Sequence, residues 1–380
     1  MAIDRAGTVI AGKYKLQELA GRGGMASVWR GFTLGAAGFR RPVAIKRILP
    51  GLEEDRQFLT MFVEEARVGA ELLHPNIVQI HDFGEDEAGR YFLVMEWIEG
   101  LDLGRLLRAY GLVNAHTPWP LISAITIEVL RGIGAAHERG RGPVIHRDIN
   151  PQNILVGMGG VVKVTDFGLS RAADRGRITN PDIVKGKLSY LAPELTLGAD
   201  PSVQSDLFSV GVVLWEALAG RKLFTGQDDV ELVLGVRAAE IPSLAAQRPG
   251  LPDALYRIVH RALEREPGAR FADADEMARA LASLLRSINR RTDARVIARA
   301  AVTARRRLRQ RSATAPPPVP EQSRPPLRIP LDGSLDGTSR GARRGGAAAS
   351  QTDSDANTPI AAARTGPQQP LPEEGDGYED

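Results

Sequence analysis

The sequence predicts an α+β protein with a small strand-rich part followed by a larger helical part. Two observations lead to this prediction. Residues 10–98 contain five short apolar or alternating segments and one segment with helical spacing. From residue 103 to residue 287 the apolar residues recur mostly at helical spacing. Beyond residue 312 the chain is rich in Pro, Gly, Ser and Ala, a composition that is typical of disorder.

The strand-rich part is predicted to be a twisted sheet with one helix beside it. Its helix is indicated by Phe58, Phe62, Ala66 and Ala70, which recur along one side of the segment 56–73. The five strands are predicted at 14–19, 27–30, 42–47, 77–83 and 91–97.

The second part is predicted to be mainly helical, with two short strands in its middle. Those strands are expected at 154–156 and 162–164. The helices are expected at 103–110, 119–138, 205–219, 230–238, 252–264 and 274–287.

The chain ends with two segments of unusual composition. Residues 288–312 carry nine arginines among small and apolar residues, and residues 373–380 are acidic. We favour a solvated helix for the basic segment; binding of an acidic partner, of lipid or of the acidic end remains open. Nucleic acid is disfavoured because no aromatic residues lie between the arginines. The predicted layout is an extension 1–9, the strand-rich part 10–98, the helical part 99–287, the basic segment 288–312 and a disordered tail 313–380.

The composition excludes several kinds of site. The chain has no cysteine, which excludes disulfides, thiolate metal sites and a cysteine nucleophile. The six histidines show no zinc-binding spacing. No stretch approaches the roughly 18 uncharged apolar residues of a membrane span, so we expect a cytoplasmic protein without one.

Five short motifs in one order give the strongest functional signal. They are a glycine-rich turn at 21–26, Val-Ala-Ile-Lys at 43–46, His-Arg-Asp at 146–148, Asp-Phe-Gly at 166–168 and Ala-Pro-Glu at 192–194. Each alone is weak evidence, but together and in this order they resemble the protein kinase family. The motif sequences are similar to those of its bacterial serine/threonine branch, and the resemblance covers roughly residues 10–287. The resemblance implies a bilobal fold, ATP as phosphate donor and Mg²⁺ as the metal.

The resemblance assigns the nucleotide site to the first lobe and to the connection between the lobes. Lys46 is expected to contact the α- and β-phosphates and to pair with Glu65, with Glu64 as the alternative partner. Met95 takes the gatekeeper position before the adenine-binding hinge. The expected ATP contacts are Gly21, Arg22, Gly23, Gly24, Val28, Ala44, Lys46, Glu65, Met95, Glu96, Ile98 and Leu155.

The resemblance also assigns the catalytic groups. Asp148 is the expected base for the acceptor hydroxyl, and Asn153 and Asp166 are the expected Mg²⁺ ligands, both with hard oxygen donors. Two further contacts are expected to support the site. Glu194 should pair with Arg270, and Asp206 should brace the catalytic loop.

Two positions depart from the family pattern. Asn150 stands where serine/threonine kinases usually have a lysine that contacts the γ-phosphate, and Lys187 stands where they usually have a threonine. Our hypothesis is that Lys187 supplies the missing cation, because lysine carries a compact charge on a flexible stem. The alternative is that Lys187 faces solvent or the substrate.

The resemblance suggests one regulatory site and three candidate activities. Thr179 is the expected self-phosphorylation site, because a phosphate there could pair with Arg147 and order the loop. The leading prediction is a kinase for Ser and Thr hydroxyls of protein substrates. A pseudokinase scaffold is the alternative suggested by Asn150 and Lys187. Tyrosine phosphorylation gains little, since Pro151-Gln152 lacks the arginine that tyrosine kinases carry nearby.

Overall fold

The computed structural model describes residues 4–52, 55–167, 187–288 and 292–314, and it confirms the α+β, two-lobed fold. These residues belong to the first of two units, Met1–Pro317. The predicted tail lies, from residue 315, outside the described residues. The strands are β1 Val9–Ile10, β2 Tyr14–Arg22, β3 Ala26–Leu34, β4 Arg40–Ile48, β5 Ile80–Glu85, β6 Tyr91–Glu96, β7 Gly100–Asp102, β8 Ile154–Gly157 and β9 Val162–Val164. The α-helices are α1 Arg56–Ala70, α2 Leu103–Gly111, α3 Trp119–His137, α4 Val203–Ala219, α5 Asp229–Ala238, α6 Leu244–Gln247, α7 Asp253–Ala262, α8 Ala274–Ser287 and α9 Ala294–Thr314.

The N-lobe is an antiparallel sheet with the strand order β1-β2-β3-β4-β6-β5. Strand β4 lies inside it, and its Lys46 is opposite Val28 on β3 and Leu93 on β6. Because side chains alternate along a strand, Ala44 and Lys46 share one face. The sheet therefore places an apolar wall and an ammonium group side by side.

Helix α1 packs on this sheet through the side that the sequence indicates. Phe62 and Ala66 are buried there together with Ile48 of β4 and Leu93 of β6. This packing also turns Glu65 inwards, where it is 4% exposed.

One predicted strand is shorter than expected, for a physical reason. Strand β5 begins at Ile80, whereas the sequence predicts a strand from residue 77. The backbone N–H of Val78 donates to the carbonyl of Val164 at 2.9 Å, and Ile77 forms an isolated parallel bridge with Val164. The segment before β5 thus pairs with the C-lobe, which ties the two lobes together behind the cleft.

The C-lobe is built around two buried helices, α3 and α4. Helix α4 starts with a reciprocal capping box between Ser202 and Ser205 and is capped at its C-terminal end by Gly220, whose φ of 75° is left-handed. Helix α3 is long and apolar enough to span a membrane by length and composition, but 67% of its apolar window is buried inside the protein. It is the central helix of the C-lobe core.

A small antiparallel sheet, in the order β7-β8-β9, lies at the upper edge of the C-lobe. Strand β7 follows the connection between the lobes, and a 3-10 turn, Pro151–Asn153, leads into β8. The catalytic loop and the connection are consequently held next to each other.

Residues 294–312 of the basic segment lie in α9, which packs against the C-lobe. Its Ile297, Ala301 and Ala304 are buried in the same cluster as the helices of that lobe. The sequence places a boundary at residue 287, whereas the hydrophobic core continues into α9. Only the outer face of the helix is solvated as predicted; its exposed arginines there include Arg295, Arg299, Arg306 and Arg309.

Candidate active site

An apolar cluster, called the slot below, lies where the N-lobe meets β8, at the position expected for adenine. Three buried residues from the N-lobe form its base, and four partly buried residues surround them. The members are Ala44, Val78, Met95, Val28, Trp97, Ile98 and Leu155. All five predicted apolar contacts are in this one cluster; Val78 and Trp97 are additions that the sequence reasoning missed. A flat apolar ring system fits such a slot better than water does.

The hinge is fixed by a carboxylate at the end of β6. Glu96 Oε1 accepts a hydrogen bond from the backbone N–H of Gln79 at 2.8 Å and pairs with Lys163 Nζ at 2.6 Å. The backbone N–H of Glu96 donates to the carbonyl of Gln79 at 2.9 Å. These contacts hold the chain at the residue before Trp97 and Ile98 and so fix the floor of the slot.

The glycine-rich turn connects β2 and β3 above the slot. Its backbone is closed by one hydrogen bond, from Gly23 N–H to the carbonyl of Ala26 at 2.8 Å. Apart from Gly21 and its two chain neighbours, no described residue has a heavy atom within 4 Å of the place where a Cβ on Gly21 would be. The backbone of the turn is therefore accessible on that side, as binding of phosphate through N–H groups requires.

Lys46 is buried between two carboxylates. Its Nζ lies 2.7 Å from Glu65 Oε1 and 2.8 Å from Asp166 Oδ1. The structure thus brings together three residues from β4, α1 and the segment after β9. The neighbour Glu64 instead pairs with Arg67 on the exposed side of α1.

The charges of this cluster shift the pKa values of all three groups. Burial alone would lower the pKa of Lys46, but the carboxylates of Asp166 and Glu65 raise it above its usual range. Burial alone would raise the pKa of Asp166, but the Lys46 ammonium holds it below its usual range. One ammonium cannot neutralise two buried carboxylates equally, and burial raises the pKa of Glu65 to about 7 despite Lys46.

The catalytic loop holds the carboxylate of Asp148 with two asparagine side chains. Asn150 Nδ2 donates to Asp148 Oδ1 at 2.9 Å, and Asn153 Nδ2 donates to Asp148 Oδ2 at 3.2 Å. Both amide groups also donate to the carbonyl of Asp148, at 3.0 and 2.8 Å. The base candidate is therefore oriented by its own loop.

Asn150 has a second role that sequence reasoning missed. Its Oδ1 accepts from the backbone N–H groups of Gln152 at 2.9 Å and Asn153 at 3.3 Å, which caps the 3-10 turn. A lysine has no acceptor and cannot make these bonds. The Asn-Pro pair at 150–151 was a readable signal, because Asn before Pro is typical of the start of a helical turn.

Lys187, from the segment that ends at Glu194, contacts the same carboxylate. Its Nζ lies 2.5 Å from Asp148 Oδ2, and its side chain is 49% exposed. Asp148 is 7% exposed in its side chain. The structure brings the lysine beside the expected base, next to the position that lacks a lysine at Asn150.

Two expected supporting contacts are present in the C-lobe. Asp206 accepts from the backbone N–H groups of His146 at 2.7 Å and Arg147 at 2.8 Å. Glu194 and Arg270 form a bidentate pair with two 2.7 Å contacts. These contacts fix the backbone before Asp148 and the end of the segment that carries Lys187.

The backbone is strained on both sides of the site. Arg147 and Asp166 have φ values of 67° and 64°, in the left-handed region that non-glycine residues rarely adopt. Such strain persists where surrounding contacts over-determine the conformation. Here Asp206 holds the first residue, and Lys46 holds the second.

Part of the predicted site lies outside the described residues. These positions are Gly168 of the Asp-Phe-Gly motif, Gly186, and the proposed phosphorylation site Thr179.

The donors present suit a hard divalent cation that also binds phosphate. Among the described residues, no group of three or more His, Cys, Asp or Glu side chains is close enough to hold a metal by itself. Asn153 and Asp166 supply an amide and a carboxylate, and each is fixed by the contacts described above. Mg²⁺ is commonly held by one or two protein oxygens together with substrate phosphates, so these two residues fit it.

Comparison with known proteins agrees with this geometry. The protein kinase domain family matches residues 14–281. Tyrosine-protein kinase MasK of Myxococcus xanthus is 38% identical over 72% of this chain, and probable serine/threonine-protein kinase PknB of Lactococcus lactis is 37% identical over 73%. The chain spans 43% of the length of each of these two relatives.

A solved structure gives the same result for the fold. The PknI kinase domain of Mycobacterium tuberculosis has a TM-score of 0.57 and 28% identity, over 74% of this chain and 99% of that one. Serine/threonine-protein kinase PknA of the same organism is 33% identical over 74% of this chain. The chain therefore belongs to the protein kinase family, in its bacterial serine/threonine branch, whose members use ATP and depend on a divalent metal.

Proposed function

We propose that this chain transfers the γ-phosphate of ATP to serine and threonine hydroxyls of protein substrates. The observation that carries the proposal is the Asp148 carboxylate, which is buried, oriented by Asn150 and Asn153, and located in the same cleft as the Lys46 cluster. Phosphoryl transfer depends mainly on positioning and charge neutralisation, and this cleft supplies both.

Asp148 is the group that orients the acceptor and takes its proton. A hydroxyl that displaces Lys187 from Asp148 Oδ2 donates its hydrogen bond to that oxygen. As the oxygen–phosphorus bond forms, the proton moves to the carboxylate and the bond to the leaving diphosphate breaks. Asn150 and Asn153 keep the carboxylate in place during this exchange.

The nucleotide is held by the slot, the turn and Lys46. The apolar slot takes the adenine, and the backbone of the glycine-rich turn faces the phosphates. Lys46 leaves one of its two carboxylates to contact the α- and β-phosphates. Mg²⁺ held by Asn153 and Asp166 would supply charge neutralisation for the phosphate oxygens.

Lys187 is the proposed cation for the γ-phosphate. Its ammonium lies beside Asp148 on a flexible, half-exposed side chain, which can turn towards a phosphate that is bound next to Asp148. Asn150 does not carry a charge and is occupied as a cap. This division of labour explains how a catalytic loop without its usual lysine still neutralises the transition state.

Two other activities compete with this proposal. A pseudokinase scaffold has no support, because Lys46, Asp148, Asn153 and Asp166 are all present and the relatives are named as kinases. Tyrosine is a second candidate acceptor, since one of the similar relatives is named as a tyrosine-protein kinase. The experiment below separates the acceptors.

The test is phosphate mapping by mass spectrometry on the full chain after incubation with Mg²⁺ and ATP. We expect phosphate on serine and threonine, including Thr179, in the unaltered chain. The matched Asp148→Asn variant, which keeps the shape but loses the base, should show none. Phosphate on tyrosine alone would replace the serine/threonine assignment. Absence of phosphate from a chain that binds ATP would favour the scaffold.

The proposal also names partners and a place. Protein substrates with Ser or Thr acceptors meet the enzyme in the cytoplasm, where ATP is available. The exposed arginines on the outer face of α9 offer a surface for an acidic partner. Self-phosphorylation at Thr179 would place a phosphate eight residues before Lys187 in the sequence.

A further inference from the structure

Helix α9 lies outside the segment matched by the kinase family, yet it contacts the elements that carry the nucleotide slot. The family match ends at residue 281, and α9 begins at Ala294. The helix packs against α2, α3, β7 and β8. Strand β7 follows the hinge directly, and β8 carries Leu155 of the slot.

The hinge carboxylate Glu99 receives charged or polar groups from three directions. Arg305 of α9 lies 2.6 Å from Glu99 Oε1 through its Nη1. Trp97 of the hinge donates from Nε1 to Glu99 Oε2 at 3.1 Å, and Arg30 of β3 lies 3.6 Å from the same oxygen. The guanidinium of Arg30 also lies over the Trp97 ring, 5.4 Å from its centroid. One side chain thus joins the C-terminal helix, the hinge and the N-lobe.

The backbone of Glu99 is fixed as well. Its carbonyl accepts a hydrogen bond from the N–H of Met158 at 2.8 Å, which continues the pairing of β7 with β8. The preceding residue is Ile98, a wall of the slot whose N–H is the expected adenine contact. A shift of Glu99 therefore moves the adenine-binding backbone.

The placement of α9 is set by contacts at both ends. At its start, a Cβ on Gly160 would lie 1.9 Å from the carbonyl oxygen of Ala294, and Gly160 has a φ of 87°. Near its end, Arg307 lies over the ring of Tyr110 on α2, 5.5 Å from the centroid. Between these ends, buried alanines hold the helix on the C-lobe. Arg305 is thus delivered to Glu99 from a fixed helix.

We propose that α9 braces the nucleotide-binding hinge and that Arg305 is a positioning residue for ATP. The inference rests on the proposed function only in taking ATP as the nucleotide. A single exposed ion pair contributes little, but a network that spans two lobes and a helix restricts the hinge more strongly. Because Arg30 comes from β3, which follows the glycine-rich turn, the same carboxylate also aligns that turn with the hinge.

The direct test is the Kd for ATP, measured by calorimetry on the full chain. We expect Arg305→Gln to weaken ATP binding by about three- to fivefold, the loss of about one surface ion pair. Arg305→Lys should keep most of the affinity. The matched control is Arg306→Gln, an exposed neighbour on the same helix, which should bind ATP like the unaltered chain.

A double-variant cycle with Glu99→Gln separates bracing from general loss of structure. If Arg305 acts through Glu99, the double variant should bind ATP no more weakly than Glu99→Gln alone. In turnover, Arg305→Gln should raise KM for ATP while kcat and KM for a peptide acceptor stay within about twofold.

Three outcomes overturn the brace: an unchanged Kd in Arg305→Gln, additive losses in the double variant, or an equal loss in Arg306→Gln. Calorimetry does not require turnover, so a chain that binds ATP with the expected pattern but transfers no phosphate would refute the proposed function alone. A chain that fails to bind ATP would refute both.

Discussion

The cleft contains two lysines that each pair with carboxylates but differ in burial and in the number of partners. Lys46 is 5% exposed and lies between Glu65 and Asp166. Lys187 has a side chain that is 49% exposed and contacts one carboxylate, that of Asp148. The first cation is locked by burial and the second is free to exchange its partner, and this difference matches their proposed tasks. A group that anchors ATP should be fixed, whereas a group that follows the moving phosphoryl should not.

Removal of the two lysines should also have different effects on the protein. Removing Lys46 leaves two buried carboxylates without their cation, which is expensive. Removing Lys187 leaves one carboxylate that keeps its two asparagine donors. Loss of Lys46 should therefore lower both stability and activity, whereas loss of Lys187 should lower mainly activity.

The largest effect is expected for Lys46→Met. We expect kcat to fall by about 10²–10³, because an electrostatic contact to the phosphates is removed from a buried site. Steady-state phosphorylation of a peptide acceptor measures this, with Lys13→Met as control, since Lys13 is an exposed lysine paired with Asp82 outside the cleft. A loss below tenfold would show that Lys46 does not anchor ATP.

A smaller but more specific effect is expected for Lys187→Ala. We expect kcat to fall about 10- to 100-fold with little change in KM for ATP, because the contact forms mainly in the transition state. Asn150→Ala, which removes the cap, should lower kcat far less. Single-turnover rates at saturating ATP give the comparison directly.

Lys222→Ala is the matched control for this prediction. Lys222 has a side chain that is 50% exposed and pairs with the buried carboxylate of Glu216, so it matches Lys187 in exposure and in its carboxylate partner, although it also contacts Tyr190. If Lys187→Ala and Lys222→Ala lower kcat equally, or if Lys187→Ala and Asn150→Ala do, the relocation of the cation is wrong.

Restoring the usual family arrangement sharpens the same comparison. The double variant Asn150→Lys with Lys187→Thr moves the cation back to the catalytic loop. We expect its kcat to be about tenfold higher than that of Lys187→Thr alone. Its free energy of unfolding should be lower by about 1 kcal/mol, because the cap is lost. Recovery requires a fold that is intact by thermal unfolding. An intact double variant with no recovery would show that position 150 cannot hold the cation in this loop.

Motifs made most of the site predictable, since each is local in the sequence. The glycine-rich turn, Ala44, Lys46 and Asp166 lie within the five motifs, and the remaining predicted contacts were assigned by the family resemblance that those motifs carry. Helical and strand periodicity likewise predicted both lobes. Strands β1 and β7 were missed because Val-Ile and Gly-Leu-Asp show no apolar residue repeated at a spacing of two, whereas β9, which is as short as β7, reads Val-Lys-Val.

The remainder depends on contacts that the sequence does not order. Asn150 looked like a lost lysine, and its capping bonds appear only when the turn at 151–153 is formed. The pairing of Arg305 with Glu99 joins positions 206 residues apart, and one arginine among nine in the basic segment gives no sign of being special. Such a pair is specified by the docking of α9, which buried alanines determine without any motif.

The smallest effect concerns pH and the locked lysine. Burial raises the pKa of Glu65 from 4.5 to about 7, so the folded chain keeps this proton over a range where the unfolded chain has lost it. The contribution of Glu65 to stability is therefore fully present below about pH 4.5 and is lost as the pH rises through about 7. Glu65→Gln has the same shape and no proton to lose. In Mg²⁺-free buffer, the Tm of the unaltered chain minus that of Glu65→Gln should fall by a few degrees between about pH 5 and pH 8.

The exposed neighbour Glu64 provides the control for this measurement. Glu64→Gln alters a carboxylate on the same helix that pairs with Arg67 at the surface, so its Tm difference should stay nearly flat with pH. A flat or rising difference for Glu65→Gln would show that the Lys46 ammonium keeps Glu65 ionised in the folded chain. In that case, the second carboxylate would be fully neutralised without ATP, and Lys46 would have to break an intact pair to bind phosphate. The direction of this slope thus decides whether the buried lysine is held by two competing carboxylates or by one committed partner.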